Sequence, residues 1–288
     1  TLFDDSDWKI ALLLTRATDR AGRENEAFTK DSNLSPSPQR FIYKNLTENL
    51  VTAYENVGDA ERKIIDEIAS LLGPQGIEIL SKVLSECEDR QARKFATDAL
   101  INQGEKSRLW VLKALEKPDQ PWYVLRNALM ILRFVGKGQK EIERTRQFIS
   151  HAHPRVRDEA LHTFLTLNPP NAERIVVDAL EDPDDKVQWR ATSALNEIGP
   201  LSEDSVARII VMIKSEMPQE EEAAAQQSRK ICNIIRSLGA VANFQNIQAV
   251  EESLLEVART INKRKKGILQ RLKKSSTPHH TAILSAAI

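Results

Sequence analysis

Aromatic side chains are scarce in this sequence, at 5% of 288 residues, and only ten residues are glycine. No glycine-rich GxGxxG or GxxxxGK[ST] phosphate loop occurs, nor does HExxH or GxSxG, so nucleotide binding, zinc hydrolysis and nucleophilic serine chemistry have no motif to stand on. Cysteine appears twice, as Cys87 and Cys232, without a CxxC; both fall in helical apolar patterns and read as reduced core residues of a cytoplasmic protein. No apolar run approaches the roughly 18 residues of a membrane span, and no signal peptide is seen. An excess of either charge is also lacking. Lys plus Arg equals Asp plus Glu at 41 each, so the chain as a whole is no polyanion binder, although local patches remain open to that role.

What is present is a repeat. Ala96, Ala128, Ala160 and Ala191 lie 32, 32 and 31 residues apart. Four residues before them stand Ala92, Val124, Val156 and Val187; four after stand Leu100, Leu132, Phe164 and Leu195; eight after stand Gly104, Gly136, Asn168 and Gly199. The frame extends to Ile65 with Ala69 and Gly73, and to Ile231 with Ile235 and Gly239. Positions −4, 0, +3, +4 and +7 share one helical face, which predicts a buried stripe. The small residue at zero lets a neighbouring backbone approach. Gly or Asn at +8 tolerates the left-handed conformation that stops a helix. Pro121, Pro154 and Pro183 mark the start of this helix in three units, and Asp182, Asp184 or Asp185 is placed to cap it.

A second amphipathic run lies between these segments: Ile77 to Leu84, Leu109 to Leu115, Ile175 to Leu180 and Val206 to Ile213. Each unit therefore reads as helix A, a turn, helix B and a stop. One pair cannot bury its apolar face alone, so pairs must stack. The fold class expected is all-α, an α-α superhelix of stacked antiparallel helix pairs.

The stretches His153-Pro-Arg-Val-Arg-Asp-Glu-Ala160 and Asp182-Pro-Asp-Asp-Lys-Val-Gln-Trp-Arg-Ala191 resemble HEAT repeats of the bacterial type, with Asp-Pro, then Val-Arg, then Ala in helix B. The resemblance covers about residues 39–240 and implies a HEAT-like, armadillo-type solenoid; it says little of function, since many activities use that scaffold. The family's Arg after Val is kept at Arg157, and at Arg93 after Ala92, but the position holds Leu125 and Gln188 elsewhere. A regular Asp–Arg ladder between units is therefore not expected.

The organisation expected is an N-terminal helix and polar linker over 1–38, a repeat array over 39–240, and C-terminal helices over 241–288. The B helices of the array are expected near 61–72, 92–103, 124–135, 156–167, 187–198 and 227–238. The N-terminal helix, over 4–22, has Trp8, Ala11, Leu12 and Leu14 on or near one face and reads as a cap. Phe41 to Tyr54 is expected to be the first helix A. An acidic insert at 216–226 breaks the spacing and reads as an exposed extension. The chain opens at Thr1 and stops inside an apolar pattern at Ala287-Ile288, as expected of a piece of a larger protein. The last segment then reads as a truncated repeat.

Positions −2, +2 and +5 of helix B point away from the buried stripe at 100° per residue. In HEAT solenoids the B helices line the concave face, so the resemblance makes these positions a binding ridge. It comprises Lys63, Lys94, Asp98, Arg126, Met130, Arg133, Asp158, His162, Trp189, Ser193, Arg229, Asn233 and Arg236, with Glu67, Ser70, Ile101, Leu165 and Asn196 at the remaining positions. Apolar side chains flanked by Arg have the composition of a protein-binding surface, while scattered surface apolar residues are also ordinary. Trp122 and Tyr123 either wall an edge of the ridge or pack between repeats; Trp110 reads as core. Residues 259–274 hold eight basic and no acidic residues, and Lys263, Arg264, Lys265, Lys266, Arg271, Lys273 and Lys274 are candidates for phosphate contact. That run has no aromatic for base stacking and reads equally as a solvated face. His151, His153 and His162 are close in sequence without a carboxylate completing a metal site.

The function expected is a non-enzymatic scaffold binding a protein or peptide, with no cofactor and no membrane. Two alternatives are weighed: a nucleic-acid binder similar to HEAT-like alkylpurine DNA glycosylases, with Asp158 as its nearest catalytic candidate, and a regulatory module of a larger signalling protein. Neutral net charge counts against the first.

Overall fold

A computed structural model describes residues 8–24, 54, 56–215, 234, 235, 250–252, 255 and 259. The segment expected to form a helix at 227–238, including Arg229, Asn233 and Arg236, falls outside them apart from residues 234 and 235, as do the first helix A expected over 41–54 apart from residue 54, the acidic insert, Cys232 and the basic run from Lys263 to Lys274. All regular structure among the described residues is helical, and the fold is an all-α solenoid of successive helix pairs. The chain divides into two compact units, Thr1–Leu167 and Asn168–Ile288.

The first unit begins with α1 (Trp8–Glu24), which packs on α2 (Asp59–Leu72). Then come α3 (Pro74–Glu86), α4 (Arg90–Asn102), α5 (Glu105–Ala114), α6 (Trp122–Val135), α7 (Gln139–Arg146) and α8 (Pro154–Thr166). In the repeat frame, α3, α5 and α7 are A helices; α2, α4, α6 and α8 are B helices. Each B helix contacts the next along the unit: α2 on α4, α4 on α6 and α6 on α8.

The frame's zero position explains that contact. Ala96, Ala128 and Ala160 are fully buried, and so are Ala92, Val124 and Val156 one turn before them. With only a methyl at zero, adjacent helices approach closely enough for Thr163 Oγ1 of α8 to donate to the Leu129 carbonyl of α6 at 3.0 Å. Burying each of these apolar faces stabilises by about 25 cal/mol per Å² removed from water.

Each B helix starts two residues before the frame suggested, because capping sets the boundary. Asp89 accepts from the amides of Gln91 and Ala92, and His153 accepts from that of Arg155, ahead of Pro154 at the first helical position. Gly73 and Gly104 stop their helices at φ +58, where a side chain is strained. Gly136 differs from the expectation: its φ is −76, and the residue is extended. Space is what requires glycine there, since a Cβ would lie 2.7 Å from the Leu132 carbonyl oxygen and 3.1 Å from Leu167.

On α1, Trp8, Ala11, Leu12 and Thr15 are buried, but Leu14 is exposed, contrary to the expected face. The contact with α2 follows i, i+3, i+4, i+7 from Trp8, and Leu14 falls off that stripe. Trp110 is half-buried against the core, and Tyr54 is fully buried.

The second unit holds α9 (Ala172–Ala179), α10 (Asp185–Leu195) and α11 (Glu203–Ser215), with α9 contacting both others. Asn168 and Gly199 have φ of 50 and 84, as their stop positions require. Among the three aspartates ahead of α10, Asp184 is the cap, accepting from the Lys186 amide at 3.0 Å, while Asp182 accepts from the Asp184 amide at 2.8 Å. Ala191 is fully buried. No helix among the described residues is long and apolar enough to cross a membrane.

Candidate functional site

The outward row of the B helices is at least partly exposed at every described position named from the sequence. Lys63 on α2 and Lys94 and Asp98 on α4 are exposed; Arg126, Met130 and Arg133 on α6 and Asp158 and His162 on α8 are half-buried. In the second unit Trp189 is 63% exposed, and Ser193 beside it is half-buried, its hydroxyl donating to the Trp189 carbonyl.

The arginines of the row on α6 are held by a neighbouring carboxylate. Arg126 and Arg133 both turn toward Glu159 of α8, a buried carboxylate at the inward-leaning position −1. Arg133 Nε lies 3.3 Å from Glu159 Oε1, and Arg126 Nε 3.7 Å from Oε2. Arg126 also donates to the Asn127 side-chain oxygen at 2.8 Å. Arg133 Nη1 lies 3.0 Å from His162 Nε2, and a guanidinium only donates, so that ring nitrogen accepts. A buried carboxylate needs such partners, and this cluster fixes α6 against α8.

The acids near the row are similarly occupied. Glu67 accepts from Arg16 Nε of α1 at 3.0 Å. Asp66 accepts from the Tyr54 hydroxyl at 2.5 Å. Burial raises the Asp66 carboxyl to about 6; the Tyr54 hydrogen bond and Arg62 oppose the shift, and the neighbouring charge of Asp98 adds to it. Tyr54 is itself raised above the ordinary phenol range by burial and by Asp66. Arg62 reaches Asp89 at 3.1 Å and Asp59 at 3.4 Å. Burial acts to raise Asp89, but the amides of Ala92 and Gln91 and the Arg62 guanidinium hold it below the usual carboxylate range.

Trp122 and Tyr123 sit between repeats. The Trp122 ring stacks on His153 with centroids 4.3 Å apart, and Arg155 lies over its ring at 5.1 Å. Tyr123 donates to the Ser85 carbonyl at 3.2 Å, under the Arg93 guanidinium at 4.8 Å. Both aromatics therefore have packing partners, and neither stands as a bare wall.

His151 accepts from the His153 amide at 3.0 Å, and His153 is the cap of α8; burial and the nearby Arg155 lower its basicity. Among the described residues no group of three or more His, Cys, Asp or Glu is placed to hold a metal ion.

Sequence reasoning missed a recurring role for the residue after position −4. Arg93 donates to the Cys87 and Glu88 carbonyls at 2.6 and 2.8 Å, and Arg157 to those of His151 and Ala152 at 2.9 and 3.0 Å. Gln188 donates to the Asp182 carbonyl at 2.5 Å. The side chain closes the A-to-B turn of its own unit, which otherwise leaves carbonyls unpaired. Leu125 cannot do this, and in its turn Gln120 donates to the Ala114 carbonyl at 2.5 Å instead.

Residues 142–229 match the family model of HEAT repeats. No curated protein matches the chain in sequence. Two engineered proteins solved by the Northeast Structural Genomics Consortium are similar to it. One is 14% identical with a TM-score of 0.32, over 89% of this chain and 91% of that one. The other is 15% identical with a TM-score of 0.31, over 100% and 94%.

Proposed function

We propose that this chain, a protein built of HEAT repeats, is a non-enzymatic interaction scaffold that binds a protein or peptide along the outward row of its B helices. One observation supports this above the rest: in the first unit that row carries two exposed lysines, Lys63 and Lys94, with no partner among the described residues, while Glu67 and Asp66 on α2 are engaged. Such charges in one row with the half-exposed apolar Met130 and Ile101 have the makeup of an interface rim and core. In the second unit the exposed Trp189 is the natural anchor, since buried aromatics dominate binding energy. A free, buried Cys87 fits action in a reducing compartment, the cytoplasm.

A photo-reactive amino acid placed at Lys94, and as a control at the exposed Leu109 of helix A, tests the reading in an extract of the cells the protein comes from. A discrete adduct from position 94 and none from 109 is expected. Adducts from 109 alone would place binding on the A helices and end the proposal.

A further inference from the structure

We infer that the row formed by α2 and α4 takes an acidic polypeptide segment; this rests on the scaffold reading and assigns the partner's charge. Most charges near these helices are already engaged. Asp59 and Asp89 are paired with Arg62, Glu67 with Arg16, and Asp66 with the Tyr54 hydroxyl, at a pKa of about 6. Lys63 and Lys94 have no such partner among the described residues and occupy the same frame position on adjacent, contacting helices. Arg90, at the start of α4, is exposed and also lacks a carboxylate. Two acids on these helices also stand without an ion pair among the described residues, the exposed Asp98 one turn from Lys94 and the half-buried Glu61 two residues from Lys63, against the three cations Lys63, Lys94 and Arg90.

Geometry sets the spacing of the ligand. Packed helices lie about 9 Å apart, so equivalent positions on α2 and α4 repeat at that interval. An extended chain rises about 3.3 Å per residue, and carboxylates two or three residues apart span the same distance. The presence of Asp98 favours polypeptide over nucleic acid. A phosphodiester backbone presents uninterrupted negative charge to it, whereas a polypeptide can offer an amide or a basic side chain there. Base stacking lacks a platform as well, because Trp122 and Tyr123 are engaged between repeats.

Fluorescence anisotropy of the full chain with labelled decaglutamate at about 20 mM salt is the test, since screening at higher salt hides exposed charges. Binding is expected, weakened at least about tenfold by Lys63→Glu with Lys94→Glu. The control Lys113→Glu with Lys117→Glu, exposed lysines on and just after α5, removes the same net charge and should change binding less than about twofold. Circular dichroism establishes that both variants fold; should the reversal variant not, Lys63→Gln with Lys94→Gln replaces it, with a loss of at least about threefold expected. No binding, equal losses in the two variants, or tighter binding of a ten-residue thymidine oligonucleotide overturns the inference. Failure of the peptide with a surviving adduct at position 94 removes the acidic assignment and leaves the scaffold; failure of both removes both.

Discussion

Charges on the A helices and charges on the B helices of the first unit answer to different neighbours. On α5 and α7 they face each other across repeats: Arg108 of α5 reaches Glu141 of α7, with Nε at 2.6 Å and Nη2 at 2.5 Å from the same carboxylate oxygen, and Arg144 of α7 reaches Glu116 just beyond α5 at 3.6 Å. On α2 and α4 the outermost lysines have no ion-pair partner among the described residues. The small-residue stripe brings α2 and α4 together without these lysines, whereas between α6 and α8 the outer-row Arg126 and Arg133 add to cohesion through Glu159. The A helices lack that stripe and hold their spacing partly through ion pairs. On α2 and α4, then, cohesion rests on the inner face and the Arg62–Asp89 pair, and the outermost lysines take no part in it.

The sharpest way to break this contrast is at Glu141, whose side chain is fully buried while Arg108 is 28% exposed. Arg108→Ala leaves that carboxylate without its counter-charge and should cost about 3 kcal/mol in urea unfolding. Arg108→Met with Glu141→Leu should restore most of the loss, because a buried pair is replaceable by apolar packing. A loss below about 1 kcal/mol from Arg108→Ala would mean the A helices do not depend on the pair.

Asp66 is the B-side counterpart, a largely buried carboxylate answered by a phenol rather than a guanidinium. Its carboxyl rises from 3.8 to about 6 on folding, so the folded state holds a proton that the unfolded state has released. Stability from this group is full below about pH 4 and falls as pH climbs to about 6, by up to about 3 kcal/mol at roughly 1.4 per unit. Asp66→Asn should remove that fall. The variant should melt higher than the parent at pH 7 and gain nothing at pH 4; equal gains at both would exclude titration of Asp66 as the cause.

Which of these features could be read in the sequence follows from what a helical period encodes. It gives each residue's direction from its own axis, so Ala96, Ala128 and Ala160 were legible as a buried seam. It says nothing of what the adjacent helix presents. Arg126 and Arg133 therefore read only as members of the outward row, and their ion pairs with Glu159 on the next helix could not be seen. Turn chemistry was half legible: Asp184 stood among three candidate caps, but the carbonyl-closing role of Arg93 and Arg157 depends on the turn's shape. Gly76 was passed over. A Cβ there would come within 1.8 Å of the Ala69 carbonyl oxygen of α2. A glycine one turn inside a helix pattern was the available sign of such an approach.

The second unit shows the same A-helix pairing in a weaker setting, which gives a smaller effect. Arg208 of α11 is bonded to Asp178 of α9 and lies 3.2 Å from Glu181, but all three side chains are 42 to 51% exposed. Arg208→Ala should cost less than about 1 kcal/mol, and less still in high salt. A cost matching that of Arg108→Ala would show that burial of the carboxylate is not what separates the two pairs.

The smallest stability effect belongs to the row itself. Lys63→Glu with Lys94→Glu removes no ion pair or hydrogen bond seen among the described residues, and both side chains are exposed, so unfolding should shift by no more than about 0.5 kcal/mol. Lys94→Glu does set a second carboxylate one turn from Asp98, a like-charge pair worth a few tenths of a kcal/mol against the helix. The contrast between these lysines and the A-helix pairs predicts that this variant, near silent in denaturation, is the one that loses a partner, while Arg108→Ala loses stability and keeps its binding surface. A large destabilisation by the lysine reversals would mean that these lysines hold α2 and α4 together after all, and that contrast would be gone.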